Sequence, residues 1–155
     1  MTKTAFVKVS GDLVTRRDVI RWLKNLAKDY FPVICIGGGT QISTEFKKRG
    51  FPVTFGPLGR ETKTFHERQA ARDILERNQA KIQDLLAKQD ISATVIVPIL
   101  DIGSVLCHVN GDVFVRAAYL GFDHLFILTH KDRLVKKKKE FKNLPKIKVI
   151  GFPKL

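Results

Sequence analysis

The chain has little that would staple it, span a bilayer or hold a metal. Only two cysteines, Cys35 and Cys107, occur in 155 residues, both in apolar segments and far apart. So placed, they read as reduced core residues of a cytoplasmic protein rather than as a disulfide. They lack zinc-type spacing, and His66-Glu67 does not continue into HExxH, so no metal site is expected. The histidines His66, His108, His124 and His130 are scattered, and no spacing pairs them with a serine or cysteine nucleophile. No apolar run approaches the roughly 20 residues that cross a membrane. The opening MTKTAFVKVSGD has no apolar stretch followed by a small-residue cleavage site, so no signal peptide is expected.

Acidic residues are also scarce. Fifteen Asp and Glu stand against 28 Lys and Arg, a formal net charge of +13. The excess is concentrated in residues 131–155, where ten basic residues face only Asp132 and Glu140, and where Lys136–Lys139 is unbroken. Such a tail offers a contact for an acidic partner or nucleic acid, against the plainer reading of a solvated tail. No aromatic residues interleave the lysines in the manner of a nucleic-acid motif.

What is present is an alternation of short β-branched runs and amphipathic stretches, which predicts one α/β domain with a mainly parallel sheet. Strands are expected at Ala5–Val9, Pro32–Ile36, Ala93–Leu100, Leu125–Thr129 and Ile147–Ile150. Helices are expected at about Thr15–Lys28, from the Gly37–Gly39 loop to Gly50, at Thr64–Lys88 and at Val113–Leu120. Thr15 with Asp18, and Thr64 with Glu67, have capping-box spacing. A short extended segment, Phe51–Phe55, leads into the turn Gly56-Pro-Leu-Gly59, and a hairpin-like stretch lies around Ser104–Val109.

The residues that suggest chemistry fall in loops after strands, where open parallel sheets place their ligands. Lys8 interrupts an apolar strand, and Gly11 follows it. A lysine there is costly unless it reaches an anion or snorkels to water. Gly37, Gly38 and Gly39 open a helix, where exposed N–H groups and the helix dipole favour phosphate or carboxylate. The sequence continues Thr-Gln-Ile, so the loop is neither a Walker loop nor GxGxxG. Arg60 is a candidate clamp for a carboxylate or phosphate. Asn110-Gly-Asp112 stands at a helix start, where Asn and Asp also serve as ordinary caps.

In order and spacing these segments resemble the amino acid kinase family, which includes acetylglutamate, aspartate, uridylate and isopentenyl phosphate kinases. The family's xxKxGG strand stands as Phe6-Val-Lys-Val-Ser-Gly11, and its HGGGxQI segment as Ile36-Gly-Gly-Gly-Thr-Gln-Ile42. Its GxR-T segment stands as Gly59-Arg-Glu-Thr62, and an Asn on the following helix is matched by Asn78. Its PIxxxxxGxxxNxNAD segment resembles the stretch Pro98–Asp112, and its LTDxxG strand end resembles Leu128-Thr-His-Lys-Asp-Arg133. The similarity runs from Phe6 to Arg133.

The resemblance implies a three-layer α/β/α sandwich like the family's N-terminal lobe, with the basic tail 131–155 in place of the nucleotide-binding lobe. It implies transfer of phosphate from ATP, with Mg²⁺, to a carboxylate or phosphate acceptor, chemistry that needs cations and N–H donors more than a nucleophile. By position, Lys8 would neutralise the transferring group and Asp112 would orient that lysine. Gly11, Gly37, Gly38 and Gly39 would bind phosphate, and Arg60, His108 and Asn110 would lie at the acceptor. His108 replaces the substrate-binding Asn of acetylglutamate kinases, which tells against acetylglutamate as acceptor. The family's second catalytic lysine comes from its other half, and Lys136–Lys139, lacking a matching glycine context, is not expected to replace it. The alternative is a non-catalytic descendant that binds a small anionic metabolite or a partner through the same cleft. Pairing of two copies through the long helix is also implied.

Overall fold

The computed structural model describes residues 2–56, 59–102, 105–108 and 111–154, giving the backbone course alone for 100–102 and 105–108. Among these residues the main sheet has five strands in the order β5-β2-β1-β8-β9. These are β1 (Lys3–Val9), β2 (Tyr30–Ile36), β5 (Thr94–Ile96), β8 (His124–His130) and β9 (Ile147–Phe152), and every pairing between them is parallel. The mainly parallel α/β architecture expected from the sequence is therefore present.

Strand alternation divides the core between the two faces. Ala5, Val7 and Val9 point to one face and pack with Val19 and Leu23 of α1 (Arg17–Leu26) and Ile82 and Leu86 of α3 (Phe65–Lys88). Phe6 points to the other, against Val115 of α4 (Gly111–Ala117) and Phe141, which follows α5 (Leu134–Glu140). Helices thus cover both faces, giving three layers. A third cluster joins Ile42 and Phe46 of α2 (Gly39–Lys48) to Ala71 and Leu75 of α3.

Three expectations need correction. Thr15 does not cap α1: the N-cap is Arg16, which makes no side-chain cap bond, and Asp18 instead pairs with Arg16 and accepts from the Val19 N–H. Thr15 is still inside the turn that follows Gly11. The run Ala93–Leu100 is not one strand. It leaves the main sheet after Ile96, and Ile99–Ile102 (β6) forms an antiparallel hairpin with Val105–His108 (β7). Proline cannot donate to a ladder, so Pro98 marks the break. Lastly, the lysine run is not a tail outside the fold, because it forms α5, between a 3₁₀ turn (Lys131–Arg133) and β9. Phe51–Thr54 carries no strand, and the short pair Phe55–Gly56 (β3) and Gly59–Arg60 (β4) follows it.

The second capping box is present. Thr64 Oγ1 accepts from the Glu67 N–H at 3.2 Å, while Glu67 Oε2 accepts from the Lys63 N–H at 2.7 Å. Among the described residues no helix is long and apolar enough to cross a membrane.

Candidate functional site

A cleft of about 290 Å³ opens at the carboxyl ends of β1 and β2. It brings together Lys8, the loop Ser10–Asp12, Gly37–Gly39 at the head of α2, Arg60, Gly111 and Arg133. The segments singled out in the sequence, distant from one another along the chain, therefore meet on one rim of the sheet. His108 lies on β7 as backbone, paired with Ile99, and Asn110 lies outside the described residues.

The glycines are not equivalent. A Cβ on Gly11 would stand 2.5 Å from the Gly37 carbonyl oxygen, so Gly11 lets the two loops touch rather than leaving room for a ligand. A Cβ on Gly38 would meet Leu75 and Asn78 of α3 at 3.1 and 3.2 Å, so this glycine seats the loop on the long helix. Gly37 and Gly39 face open space, with nothing within 4 Å of such a carbon. The Gly37 N–H is already donated to the Val9 carbonyl at 3.2 Å, so Gly39, at the positive end of α2, is where an anion can approach a backbone N–H.

Lys8 shares its strand face with Phe6, so its side chain runs towards α4 and crosses Gly111, where a Cβ would meet Lys8 Cε at 3.0 Å. Its Nζ lies 3.4 Å from Asp112 Oδ1, with both side chains mostly buried. Lys137, on α5, bonds the other carboxylate oxygen of Asp112 and lies 3.0 Å from Glu140 Oε2. Burial alone would raise the Asp112 carboxyl, but the Lys8 charge and the Lys137 hydrogen bond hold it below the ordinary range. Burial likewise opposes the Lys137 charge, and the bond to Asp112, with Glu140, outweighs it and raises that ammonium. One carboxylate thus pairs with two lysines from different elements, of which Lys8 lines the cleft. Lys137, from the lysine run, thus reaches the carboxylate that pairs with Lys8. Cys35, beside Lys8 on β2, is pushed up to about 12 by burial and remains a thiol.

Arg60 is held rigidly. Its Nη2 donates to the Gly39 carbonyl at 2.8 Å and to Ser43 Oγ at 2.7 Å, and its guanidinium lies 4.8 Å from the Phe55 ring centre and 5.5 Å from that of Phe46. Nη1 is buried with no partner among the described residues, and burial pulls the guanidinium below its ordinary value. A donor so placed fits an incoming oxyanion.

Two residues had not been singled out for the site. Asp12 lines the cleft, and its Oδ2 lies 2.7 Å from His130 Nε2 at the end of β8. Only the adjacency of β1 and β8 joins residues 118 apart in sequence. The sequence signal was the histidine ending Leu128-Thr-His130 on the strand beside Lys8.

No family model matches the chain, and no curated protein matches it by sequence. Among solved structures it is similar to smu.665 from Streptococcus mutans UA159, with a TM-score of 0.64 at 13% identity over 92% of this chain and 84% of that one. A looser match, with a TM-score of 0.49 at 11% identity, is an isopentenyl phosphate kinase, covering 96% of this chain and 91% of that one. At such identities the likeness to smu.665 is one of fold.

Proposed function

We propose that this chain is a small-molecule phosphotransferase of the amino acid kinase type, moving a phosphoryl group from ATP to a carboxylate or phosphate acceptor. The observation that carries the proposal is the Lys8–Asp112–Lys137 chain of contacts, with Lys8 lining the same cleft as the glycine loop. Phosphoryl transfer spreads negative charge over several oxygens, and its catalysis consists largely of placing cations and N–H donors around them. The Gly39 N–H at the head of α2 would bind a phosphate oxygen, and Lys8 and Lys137 would offset charge on the transferring group. Asp112 would keep the two ammonium groups together without itself meeting the phosphate. Arg60, pinned by Gly39 and Ser43, would hold the acceptor's anionic group through Nη1. The open backbone at Gly39 and the lysine pair fit the phosphates of a nucleotide, whose Mg²⁺ would add charge neutralisation.

The test is binding and turnover. Calorimetry with Mg²⁺–ATP should give a Kd tighter than millimolar, and phosphate release should rise when a small carboxylate or phosphomonoester acceptor is supplied. Lys8→Ala and Lys137→Ala should each lower that rate by about a hundredfold or more, the scale of losing one preorganised charge. Absence of both nucleotide binding and turnover would sink the kinase reading. Retained binding of inorganic phosphate, abolished by Lys8→Ala, would then leave an anionic-metabolite-binding protein.

A further inference from the structure

The cleft has a second arginine to which the chemistry above gives no task. Arg133 lines it together with Lys8, the glycine loop and Arg60, and it is exposed. The two arginines stand on opposite sides of β1. Arg60 is tied to Gly39 and Ser43, beyond the end of β2, whereas Arg133 closes the 3₁₀ turn that follows β8. Strands β2 and β8 flank β1 on either hand, so they lie two strand spacings apart, roughly 10 Å. We propose that Arg133 binds a phosphate of the nucleotide donor, so that the cleft seats two anionic groups at once, the acceptor's on Arg60 and the donor's on Arg133. The inference rests on the phosphotransfer reading given above.

The Arg133 guanidinium is uncommitted, making no hydrogen bond or ion pair among the described residues. Both carboxylates near it are engaged elsewhere. Asp12 Oδ2 lies 2.7 Å from His130 Nε2, and Asp132 Oδ2 lies 2.7 Å from Lys154 Nζ, so Arg133 acts on the two only through space. Its five N–H donors, set in a planar fork, are open to a partner with paired oxygens, which is the geometry of a phosphate.

The backbone beneath that free side chain is seated. A Cβ on Gly151 of β9 would stand 3.2 Å from Lys131 Cα and 3.3 Å from Leu134 Cβ, so this glycine lets the turn sit down on the sheet. A turn already in place costs less order when its side chain takes a ligand. Arg60, by contrast, has its Nη2 held by Gly39 and Ser43 and offers Nη1, enough for one oxyanion. Two anionic groups in one cleft repel unless cations stand around them. Lys8, on the strand between the two walls, supplies a third positive charge to the same cleft.

The experiment is calorimetry of the full chain with Mg²⁺–ATP at physiological ionic strength, where exposed charges more than about 8 Å apart are largely screened. Arg133→Gln should weaken ATP binding about tenfold or more, the scale of a lost charge-assisted contact. Arg133→Lys keeps the charge without the fork and should bind within about threefold of the wild type. Lys136→Gln removes one exposed charge from α5 outside the cleft and should change ATP affinity by less than about twofold. Because the Arg133 side chain bonds nothing in the fold, its variants should melt within about 2 °C of the wild type. Sulfate, a single oxyanion, reads the opposite wall: Arg60→Gln should weaken it about fivefold or more, and Arg133→Gln by less than about twofold. An unchanged ATP affinity in Arg133→Gln, or an equal loss in Lys136→Gln, overturns this inference and leaves the kinase reading standing. Equal sulfate losses in Arg60→Gln and Arg133→Gln also overturn it, because they put both arginines on one anion. No binding of Mg²⁺–ATP by the folded wild type overturns both.

Discussion

Asp112 is the shared partner of two cations, since its carboxylate pairs with the Lys8 and Lys137 ammonium groups. Because its folded pKa is depressed, its stabilising contribution is full above the ordinary carboxylate range and is lost as pH falls through the folded value. The Lys137 contribution has the opposite sign, present below the ordinary ammonium range and lost as pH rises through its elevated value. Asp112→Asn keeps the shape and removes the charge, leaving the largely buried Lys8 without its carboxylate and Lys137 with Glu140 alone. The Lys8 loss alone should cost about 2 kcal/mol, roughly 4–8 °C in Tm for a chain of this size, and it should flatten the acid limb of the stability profile. A variant that unfolds along the wild-type acid limb would show that Asp112 is not the group responsible. At this scale the sequence was only partly legible. Lys8 was visible because a lysine inside an apolar strand demands a partner, and Asp112 because a family motif ends on it. Lys137 was hidden among four consecutive lysines, since only the helical rotation of α5 distinguishes the one that reaches the carboxylate from its neighbours.

Among the elements, the loops after β1 and β2 decide whether the cleft exists. Gly11 and Gly37 touch backbone to backbone, and α2 starts immediately beyond them. Gly11→Ala would drive a methyl into the Gly37 carbonyl, which no rotamer change can relieve. It should cost about 2 kcal/mol or more, with a Tm loss of roughly 4–8 °C. Gly39→Ala meets no neighbour and sits in the first turn of a helix, so its Tm should change by less than about 2 °C while phosphate affinity falls. Equal melting losses in the two variants would show that both glycines serve packing, and unchanged phosphate affinity in Gly39→Ala would remove it from the site. The sequence marked this triple glycine as an anion loop without separating its members. Their roles differ through what stands opposite each one, Asn78 and Leu75 for Gly38 and open space for Gly39, and such neighbours across the fold leave no trace in local pattern. The same holds for Ala93–Leu100, where uniform β-branched content concealed the departure of β6 into its own hairpin. Pro98 was the one local sign of it.

Over the whole molecule, the basic excess proves to be divided. Lys137 is committed to Asp112, Lys154 to Asp132, and Lys146 to the Phe122 carbonyl beneath the Tyr119 ring. Lys136, Lys138, Lys139, Lys142 and Lys148 are exposed and make no ion pair among the described residues, on α5, the segment after it and the edge strand β9. Lysine on an edge strand also discourages pairing with other chains, so Lys148 has a use within the fold itself. The exposed lysines of α5, Lys136, Lys138 and Lys139, have no such use, and an uncompensated cluster attracts polyanions through counterion release. Duplex DNA of mixed sequence should therefore bind with an affinity that falls steeply as salt rises. Replacing Lys136, Lys138 and Lys139 together by alanine should reduce the slope of log affinity against log salt by about 2–3, near 0.9 for each phosphate no longer neutralised. The arginine triple variant should retain the slope, because the charges remain. Neither variant should alter sulfate affinity in the cleft, since Lys137 is untouched and the Asp112 bridge stays intact. An unchanged slope in the alanine variant would place polyanion binding elsewhere on this surface, and a parallel loss of sulfate affinity would mean that α5 had shifted and taken Lys137 with it.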